Sequence, residues 1–546
     1  METAARRLGA CQEALARLLV DAELRAVHAR DPDGLGESLA DLELDAEQLA
    51  SLRAIAPRQL ERAALGLELK RLRSVEATVP HSARVWPALG DRYLDCLRSE
   101  PARIEDLDAT LGPGPSEVLR CLPRLHAASR HDLLPPAWTP DLLALELART
   151  CSRIDRRPRK LRCRYLVHEA LAALDEGWVG VELDPADCEY LVEAERLRWR
   201  TLAPGSPDRG ARVTSSPHAD ACEAHTRPQS EERSTGRSRP RAPTRRWLGA
   251  GFGLRRPHLA ALVARRAEGD PRPPVLELTP SHFFAQPELL DELAANHAIV
   301  LHDVYASLAT VGPIDRRHLE RVAAIARRCG AVEYSEHLAS TRSPRGLELG
   351  HLVPVARTHA QLAVLVDHIH AAQDLLALPV AIELPATTIA LPGAELDEAE
   401  FVSRLVDRSG CELHLDLENL RVDALNERWL SSPTRRERAE PHPGLGQALA
   451  DAGLPPPLAE SIAGRLAGLP LDAVTRLHLA GGHVDPEGWA VDSHRASVSD
   501  HTYAILSALR GYLRPRAIII ERDDRLPPLS ELIEEAERAQ RVWQGS

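Results

Sequence analysis

Apolar and polar side chains alternate at helical spacing along the first part of the chain. One stripe, with spacings of three and four residues, consists of Leu65, Leu69, Leu72, Val75 and Val79. Pro57 precedes this stripe, where a proline fits the first turn of a helix. Similar segments follow, with WVGVELDPADCEYL at residues 178–191 as a short strand and a helix. The pattern predicts a mostly helical, all-α domain over residues 1–202.

A different pattern begins at Trp247, where short apolar runs alternate with amphipathic stretches. Runs such as VLEL, VAIEL and CELHLDL have the length of buried strands, and IDRRHLERVAAIARRCG has a helical period. About eight such β/α units in roughly 300 residues correspond to a TIM barrel. An open doubly wound sheet is the alternative, but GAGFGLRRPH lacks the third glycine of a phosphate-binding loop. We therefore predict an α/β protein with a TIM (β/α)8 barrel over residues 247–546.

Residues 203–246 lie between these two parts. They contain almost no bulky apolar side chains and are rich in Pro, Ser and Arg, so they cannot bury enough surface to offset the entropy of ordering. We expect a disordered linker. Its arginines could contact RNA or an acidic partner, but a solvated tether fits this composition better.

Composition and charge restrict the function classes. The chain of 546 residues is 44% hydrophobic and 27% charged, and its formal net charge of −12 argues against nucleic acid as a partner. No run approaches ~18 apolar residues, so we expect no membrane span. The N-terminal METAARRLGACQEALARLL predicts an amphipathic helix and not a signal peptide. Nine scattered cysteines without a CxxC pair fit reduced thiols in the cytoplasm.

Acidic and imidazole side chains stand at the ends of nearly all the predicted barrel strands. They are Glu277, His302, Glu336, His337, Glu383, His414, Asp416, His478 and Glu521, and Asp492 and His494 stand two apart in VDSH. The strand ends of a TIM barrel converge on one bowl. Several carboxylates buried there repel each other and lose hydration unless cations neutralise them. Glu, Asp and His ligands without thiolates suit iron, manganese or zinc.

Each of these residues also has an ordinary structural interpretation. His414 alone fits a hydrogen-bonded core residue better than a ligand. His337 and His483 could orient the ligands, and Arg522 and Asp523 could form an ion pair at the rim. The shared position at successive strand ends favours a site for two or three metal ions.

The ordered motifs resemble a known family. GFGLRRPH, VLELTPSHFF, LHDVYASL, YSEHL, IELPATT, LHLDLEN, HLAGGH, VDSH and IERD are similar, over about residues 247–527, to the strand-end motifs of the DUF692 family of multinuclear iron enzymes. That family includes the methanobactin-biosynthesis oxidase and relatives that modify peptidyl cysteines. The resemblance implies two or three irons in mixed Fe(II)/Fe(III) states, with dioxygen as co-substrate. It also implies that a cysteine of a ribosomally made precursor peptide is oxidised.

The resemblance implies site residues motif by motif. The implied metal ligands are His302, Glu336, Glu383, Asp416, His478, Asp492, His494 and Glu521. The residues implied around the substrate or in support of the ligands, our candidate catalytic set, are Arg255, His258, Asn419 and His483.

The chain departs from the family pattern at several of these motifs. Thr279, Ser281 and His282 stand where the family has His and a Glu-Asn pair, and Leu384 and Glu418 stand where it has Asn. The number of ions is therefore open between two and three, with His282 or Glu418 as substitute ligands.

The N-terminal segments ALARLLVDAELRAVHARDP and LRSVEATVPHSARVWPALGDRYL resemble the small helical partner proteins of such enzymes, which help to present the precursor peptide. Fusion raises the effective concentration of the two modules. An unrelated helical interaction domain is the alternative.

Two other functions stay open at this point. One is a xylose-isomerase-like sugar isomerase or a metal-dependent endonuclease, which the SEHL, HLAGxH and IERD motifs and the acidic charge disfavour. The other is a non-catalytic barrel scaffold, which Thr279 and Leu384 leave open. The implied partner is a Cys-containing precursor peptide, and the sequence is compatible with a homo-oligomer.

Overall fold

The structure, a computed structural model, describes most of the chain. The described residues are 2–107, 111, 113–131, 136–176, 181–183, 185–194, 196–202, 214–215, 246–267, 270, 272–430 and 441–545. The predicted linker 203–246 lies outside the described residues, except for 214–215 and 246. Within the described ranges, no helix is both long enough and apolar enough to cross a bilayer.

Helices form the start of the chain. They are α1 (Glu2–Val20), α2 (Ala22–Arg30), α3 (Leu35–Ser38), α4 (Ala46–Arg53) and α5 (Pro57–Thr78). Asp45 and Gln48 form a capping box at the start of α4, which satisfies N–H groups that the helix itself leaves unpaired. The predicted helix from Pro57 is confirmed, but Leu65 and Leu69 of its apolar stripe are exposed.

The next elements build a small α+β unit. Its helices are α6 (Pro80–Val85), α7 (Leu89–Ser99), α8 (Pro113–His131), α9 (Thr139–Asp155) and α10 (Val167–Asp175). Its antiparallel sheet has the order β3–β2–β1–β4, with β1 Arg159–Tyr165, β2 Pro185–Val192, β3 Leu197–Thr201 and β4 Thr214–Ser215. The sheet was not predicted. The helix expected before residue 191 is instead strand β2, because Cys188, Tyr190 and Val192 are buried at every second position.

The predicted TIM barrel is confirmed. Its strands are β5 (Gly249–Gly253), β6 (Val275–Leu278), β7 (Ala298–His302), β8 (Tyr334–His337), β11 (Val380–Glu383), β12 (Glu412–Asp416), β13 (Val474–Leu479) and β16 (Ala517–Ile520). They close in the order β11–β12–β13–β16–β5–β6–β7–β8, and all their pairs are parallel. Gly251 allows β5 to approach β6 closely, since a Cβ at this position would lie 1.8 Å from the carbonyl oxygen of Val275.

Helices surround the barrel and short strands lie in its loops. The helices are α11 (Arg256–Ala267), α12 (Leu289–Ala294), α13 (Arg316–Cys329), α14 (His359–Leu376), α15 (Glu398–Ser409), α16 (Leu417–Leu430), α17 (Leu445–Asp451), α18 (Pro456–Leu466), α19 (Asp500–Leu509) and α20 (Leu529–Gln544). Strands β9 (Ala339–Arg342) and β10 (Glu348–Pro354) pair after β8, and β14 (His483–Val484) and β15 (Ala490–Val491) pair after β13. The apolar core packs these helices onto the strands.

The chain packs as two compact units. One comprises Met1–Glu68, Arg103–Glu105 and Arg245–Ser546, and the other comprises Leu69–Ala102 and Asp106–Thr244. Helices α1–α4 and the start of α5 thus belong to the unit of the barrel, with which they share an apolar cluster that includes Leu349, Val353 and Ile389. The boundaries of 1–202, 203–246 and 247–546 stay a prediction.

Candidate metal centre

The carboxyl ends of the barrel strands bring the acidic and imidazole side chains into one buried bowl. The parallel register pairs Glu383 with His337 on one side and with His414 on the other, and it pairs Asp416 with His478. Residues two apart on a strand point the same way, so His414 and Asp416 both face inward. All five side chains are buried. The polar strand ends thus lie together, as the sequence predicted.

One part of the bowl is built around Glu383. Its Oε2 lies 3.3 Å from His302 Nε2, 3.4 Å from His337 Nε2 and 3.4 Å from His414 Nδ1. Three imidazoles thus converge on one carboxylate oxygen.

A second part is built around Asp416, His494 and Glu521. His494 Nε2 lies 3.4 Å from Asp416 Oδ2, and its Nδ1 lies 3.1 Å from Glu521 Oε2. Asp492 Oδ1 is 2.6 Å from His494 Nε2. His478 connects the two parts, because its Nδ1 lies 2.8 Å from Glu521 Oε2 and 3.8 Å from Glu383 Oε1.

Two glycines allow the loop that carries His494 to reach the bowl. A Cβ on Gly481 would lie 2.3 Å from the carbonyl oxygens of both Ala496 and Ser497, and a Cβ on Gly482 would lie 2.5 Å from that of Val491. The GGH sequence after β13 is therefore a place of close backbone approach. His494 itself has a φ of 48°, a strained conformation for a residue with a side chain.

The buried polar atoms fit a metal site. Several of them have no hydrogen-bond partner, namely Glu383 Oε2, His414 Nδ1 and Nε2, Asp416 Oδ2, His478 Nδ1, Asp492 Oδ1 and His494 Nε2. Three pairs of these atoms nevertheless lie within 4 Å: His414 Nδ1 with Glu383 Oε2, and His494 Nε2 with Asp416 Oδ2 and with Asp492 Oδ1. Because these close approaches lack hydrogen-bond geometry, the atoms keep lone pairs that a cation could use. Buried polar groups are otherwise almost always paired.

Four sets of three residues have ligand atoms within 4.8 Å of one another. They are His302–His337–Glu383, His302–His478–Glu521, Glu383–His414–His478 and Asp416–His494–Glu521. The first and the last share no residue, so two cations could bind without competing for a ligand.

Burial sets the protonation of these groups. It raises the pKa of Glu383 to about 8 and that of Asp416 to about 7, because a buried carboxylate loses its hydration. It lowers the pKa of His302 to about 3. Burial would also raise the pKa of Glu277, but the charge and hydrogen bond of His478 and the charge of Arg476 outweigh it and lower this pKa to about 2. The neutral imidazole of His302 keeps a lone pair for a cation.

Glu336, a predicted ligand, is engaged elsewhere. Its Oε2 accepts the N–H of Ala306 at 2.9 Å, and its Oε1 accepts the N–H of His337 at 2.7 Å. It belongs to none of the four sets found among the described residues. His337 and His414 do belong to these sets. The sequence favoured His337 as a residue that orients ligands and His414 as a core residue. Their inward-facing positions on strand ends were the available signal.

The candidate catalytic residues lie at different distances from the bowl. Arg255 Nη2 donates to Glu521 Oε1 at 3.3 Å and also pairs with Asp523. The N–H of Asn419 donates to Asp416 Oδ1 at 3.2 Å. His258 Nε2 instead contacts the carbonyl oxygen of Pro527, and His483, on exposed β14, contacts Ser493 Oγ. Arg255 and Asn419 thus touch predicted ligands, and the roles of all four stay a prediction.

The two suggested substitute ligands are placed differently. His282 is exposed after β6. Glu418 is buried, but it pairs with Arg421 and accepts the N–H of Gly482 at 3.0 Å and the hydroxyl of Thr502 at 3.0 Å. These partners hold Glu418 as a structural residue.

The ion pair suggested between Arg522 and Asp523 is wrong. Arg522 pairs with Glu535 at 3.0 Å, and Asp523 pairs with Arg255. Neighbouring side chains on an extended backbone point in opposite directions, so the two residues find different partners.

Comparisons with known proteins place the barrel in a family. Residues 249–436 and 459–544 match the family model described as RiPP precursor modification enzyme MbnB/TglH/ChrH, where RiPP denotes a ribosomally synthesised and post-translationally modified peptide. A UPF0276 protein of Rhizorhabdus wittichii is 32% identical over 295 residues, which cover 53% of this chain and 92% of that protein. A UPF0276 protein of Caulobacter vibrioides is 28% identical over 299 residues, 54% of this chain and 94% of that protein.

Solved structures with a similar chain path include a D-psicose 3-epimerase with D-fructose, at 13% identity and a TM-score of 0.32, covering 53% of this chain and 93% of that one. An L-ribulose 3-epimerase has 12% identity and a TM-score of 0.31, and the match covers 55% of this chain and 90% of that one. Likeness at this level carries no argument about function. Over its barrel, the chain belongs to the MbnB/TglH/ChrH family of RiPP precursor modification enzymes.

Proposed function

We propose that the chain is a multinuclear non-haem iron oxidase or oxygenase that uses dioxygen to modify a cysteine in a ribosomally made precursor peptide. Membership of the family supports the precursor peptide as substrate. The observation that carries the metal-dependent chemistry is the set of buried, unpaired carboxylate and imidazole atoms that face one another in the bowl. Ligands of this kind, without thiolates, suit iron.

Two ions would have separate ligand sets. His302, His337 and Glu383 would hold one, and Asp416, His494 and Glu521 would hold the other. His414 and His478, with the shared Glu383, offer ligands for a third. When bound, iron provides electrons for dioxygen and an open position for a thiolate.

Residues around the bowl keep the ligands in place. Arg255 holds Glu521 Oε1, so that Oε2 of the same carboxylate faces His478 and His494. The N–H of Asn419 holds Asp416 Oδ1, which leaves Oδ2 toward His494. The side-chain oxygen of Asn419 is buried without a partner, and we assign it to an N–H group of the peptide.

The N-terminal helical region would recruit the precursor peptide, and its fusion to the barrel would raise the local concentration of substrate. All eight described cysteines are free thiols. They fit the reducing cytoplasm in which we place the protein. The sugar isomerase, endonuclease and scaffold alternatives are not adopted, because the family model describes a peptide-modifying enzyme.

Metal analysis of the full chain, purified without oxygen, tests the proposal. We expect two or more irons per chain, and dioxygen uptake when a Cys-containing peptide encoded near this chain is added. Zinc or manganese in place of iron would favour an isomerase or nuclease. A protein that takes up no metal from excess Fe(II) would contradict the metal-dependent function altogether.

A further inference from the structure

One arginine lies inside the barrel, close to the metal centre. Arg476 precedes His478 by two residues on β13, so both side chains point into the barrel. The side chain of Arg476 has no exposed surface. A buried guanidinium is costly unless every charge and donor is matched, so its partners reveal what it supports.

Arg476 contacts residues of strands β6, β7 and β8, which are adjacent to one another in the barrel but not to β13. Its Nη1 donates to Glu277 Oε2 at 2.9 Å, to Ser335 Oγ at 2.8 Å and to the carbonyl oxygen of Leu301 at 3.0 Å. Its Nε donates to Glu333 Oε1 at 2.8 Å.

Two of these partners, Glu277 and Ser335, each contact one ring nitrogen of a histidine in the metal centre. Glu277 Oε2 lies 2.8 Å from His478 Nε2, and Ser335 Oγ lies 2.8 Å from His302 Nδ1. One guanidinium therefore touches both residues that orient these imidazoles.

The hydrogen-bond directions determine which ring nitrogen is free. The Ser335 hydroxyl donates to the carbonyl oxygen of Leu301 at 3.3 Å, so its lone pairs accept from Arg476 and from His302 Nδ1–H. His302 Nε2 is then left without a proton and faces Glu383. The Glu277 carboxylate accepts from His478 Nε2–H, which leaves Nδ1 toward Glu521.

We propose that Arg476 is a positioning residue of the metal centre: it fixes Glu277 and Ser335, which in turn present His478 Nδ1 and His302 Nε2 to the ions. The inference rests on the metal centre of the proposed function. Arg476 also supplies the counter-charge for Glu277, so this buried carboxylate acts as a hydrogen-bond acceptor and does not need a cation of its own. Partners that orient a ligand in this way commonly change metal affinity by roughly tenfold to hundredfold.

Arg516 offers a matched control. It pairs with Glu333, which Arg476 also contacts, and with Glu412 at 3.3 Å. Arg516 itself contacts neither Glu277 nor Ser335 in the described part of the chain. Removing Arg516 therefore disturbs the same buried charge network without touching Glu277 or Ser335.

Titration of the metal-free full chain with Co(II) tests the proposal, because the visible spectrum of Co(II) reports ligand geometry whichever metal is native. We expect Arg476→Met to weaken Co(II) binding by roughly tenfold to hundredfold and to change the spectrum. Arg476→Lys keeps the positive charge but lacks the several planar donors of the guanidinium. It should therefore retain more Co(II) affinity than Arg476→Met. Arg516→Met should change the affinity by less than about twofold and leave the spectrum unchanged.

Ser335→Ala and Glu277→Gln separate positioning from folding, since each changes one residue that connects Arg476 to a histidine and leaves Arg476 itself in place. Each should alter the Co(II) spectrum even if Arg476→Met fails to fold. An unchanged spectrum in both, or equal losses in Arg476→Met and Arg516→Met, overturns the proposal. If the unaltered chain binds no Co(II), the metal centre and the proposed function fall together with it.

Discussion

Glu383 shows how one residue can organise a metal centre. Three imidazoles lie within 3.4 Å of its Oε2, and that oxygen has no hydrogen-bond partner. Its burial would be costly for a carboxylate left unpaired. A cation among the imidazoles would remove this cost, which would explain why the residue is tolerated in the barrel.

We predict that Glu383→Gln lowers the metal content by at least one ion per chain, because an amide is a poor substitute for a charged ligand. Elemental analysis of the reconstituted protein measures this. Glu412→Gln, which changes a carboxylate on neighbouring β12 that pairs with Arg516 outside the bowl, should retain the full content. If Glu383→Gln retained as much metal as Glu412→Gln, the assignment of Glu383 as a ligand would be contradicted.

The raised pKa values of Glu383 and Asp416 predict a pH dependence of metal binding. With a pKa of about 8 for Glu383 and about 7 for Asp416, both groups hold protons in the metal-free protein below these values. Metal must displace those protons, so the affinity should rise with pH through the range of about 7 to about 8. Zn(II) titrations between pH 6 and 9, with proton release followed by an indicator dye, measure this. Constant affinity without proton release would refute it.

At the scale of elements, the loop between β13 and β16 completes the centre. Gly481 brings residues 490–497 against the end of β13, and the N–H groups of Arg495 and Ala496 donate to the carbonyl oxygen of Gly481, both at 3.2 Å. This loop carries His494, so backbone packing decides whether the second ligand set forms.

Gly481→Ala should therefore remove the ion held by Asp416, His494 and Glu521 and spare the one held by His302, His337 and Glu383. The added Cβ would lie 2.3 Å from two carbonyl oxygens, so the loop must move away. Metal analysis should show about one ion fewer per chain. Gly511→Ala is the control, because no atom lies within 4 Å of its added Cβ. Full occupancy of Gly481→Ala would show that the loop tolerates the displacement.

At the scale of the whole molecule, the first helices are joined to the barrel unit by specific contacts. Gln12 Nε2 donates to the carbonyl oxygen of Ala309 at 2.8 Å, and its Oε1 accepts the N–H of Val311 at 2.9 Å. Gln59 binds in the same way, to Trp429 O at 3.2 Å and Ala390 N at 3.0 Å. Both glutamines thus hold segments that follow the carboxyl ends of barrel strands, where the centre lies.

Gln12→Ala should lower the free energy of unfolding by about 0.5–1.5 kcal/mol, because it removes the side-chain acceptor of the Val311 N–H, while the carbonyl oxygen of Ala309 keeps Gln361 as a donor. Hydrogen exchange at the Val311 amide should accelerate, which mass spectrometry of peptides measures. Arg6→Ala is the control, since Arg6 forms an exposed ion pair with Glu43 that is worth about 0–1 kcal/mol. Unchanged exchange at Val311 would mean that α1 does not stabilise this loop.

The sequence by itself determined the barrel and the convergence of its polar strand ends. Strand and helix periods are local properties, and the carboxyl ends of parallel strands must meet, so the pattern along the chain was enough to group Glu383, Asp416, His478 and Glu521. It also identified the family that the comparisons confirm.

The tertiary structure decided which atoms face one another. Sheet β3–β2–β1–β4 and the packing of α1–α4 with the barrel unit depend on contacts between distant segments, which periodicity does not record. Within the site, the structure shows that the N–H groups of Ala306 and His337 donate to Glu336, whereas the His337 side chain lies beside Glu383. Arg476 appeared as one polar residue in an apolar strand, and its partners on β6, β7 and β8 became visible only when the barrel closed. Hydrogen-bond partners are a property of three-dimensional packing, whereas the period of a strand is a property of the chain.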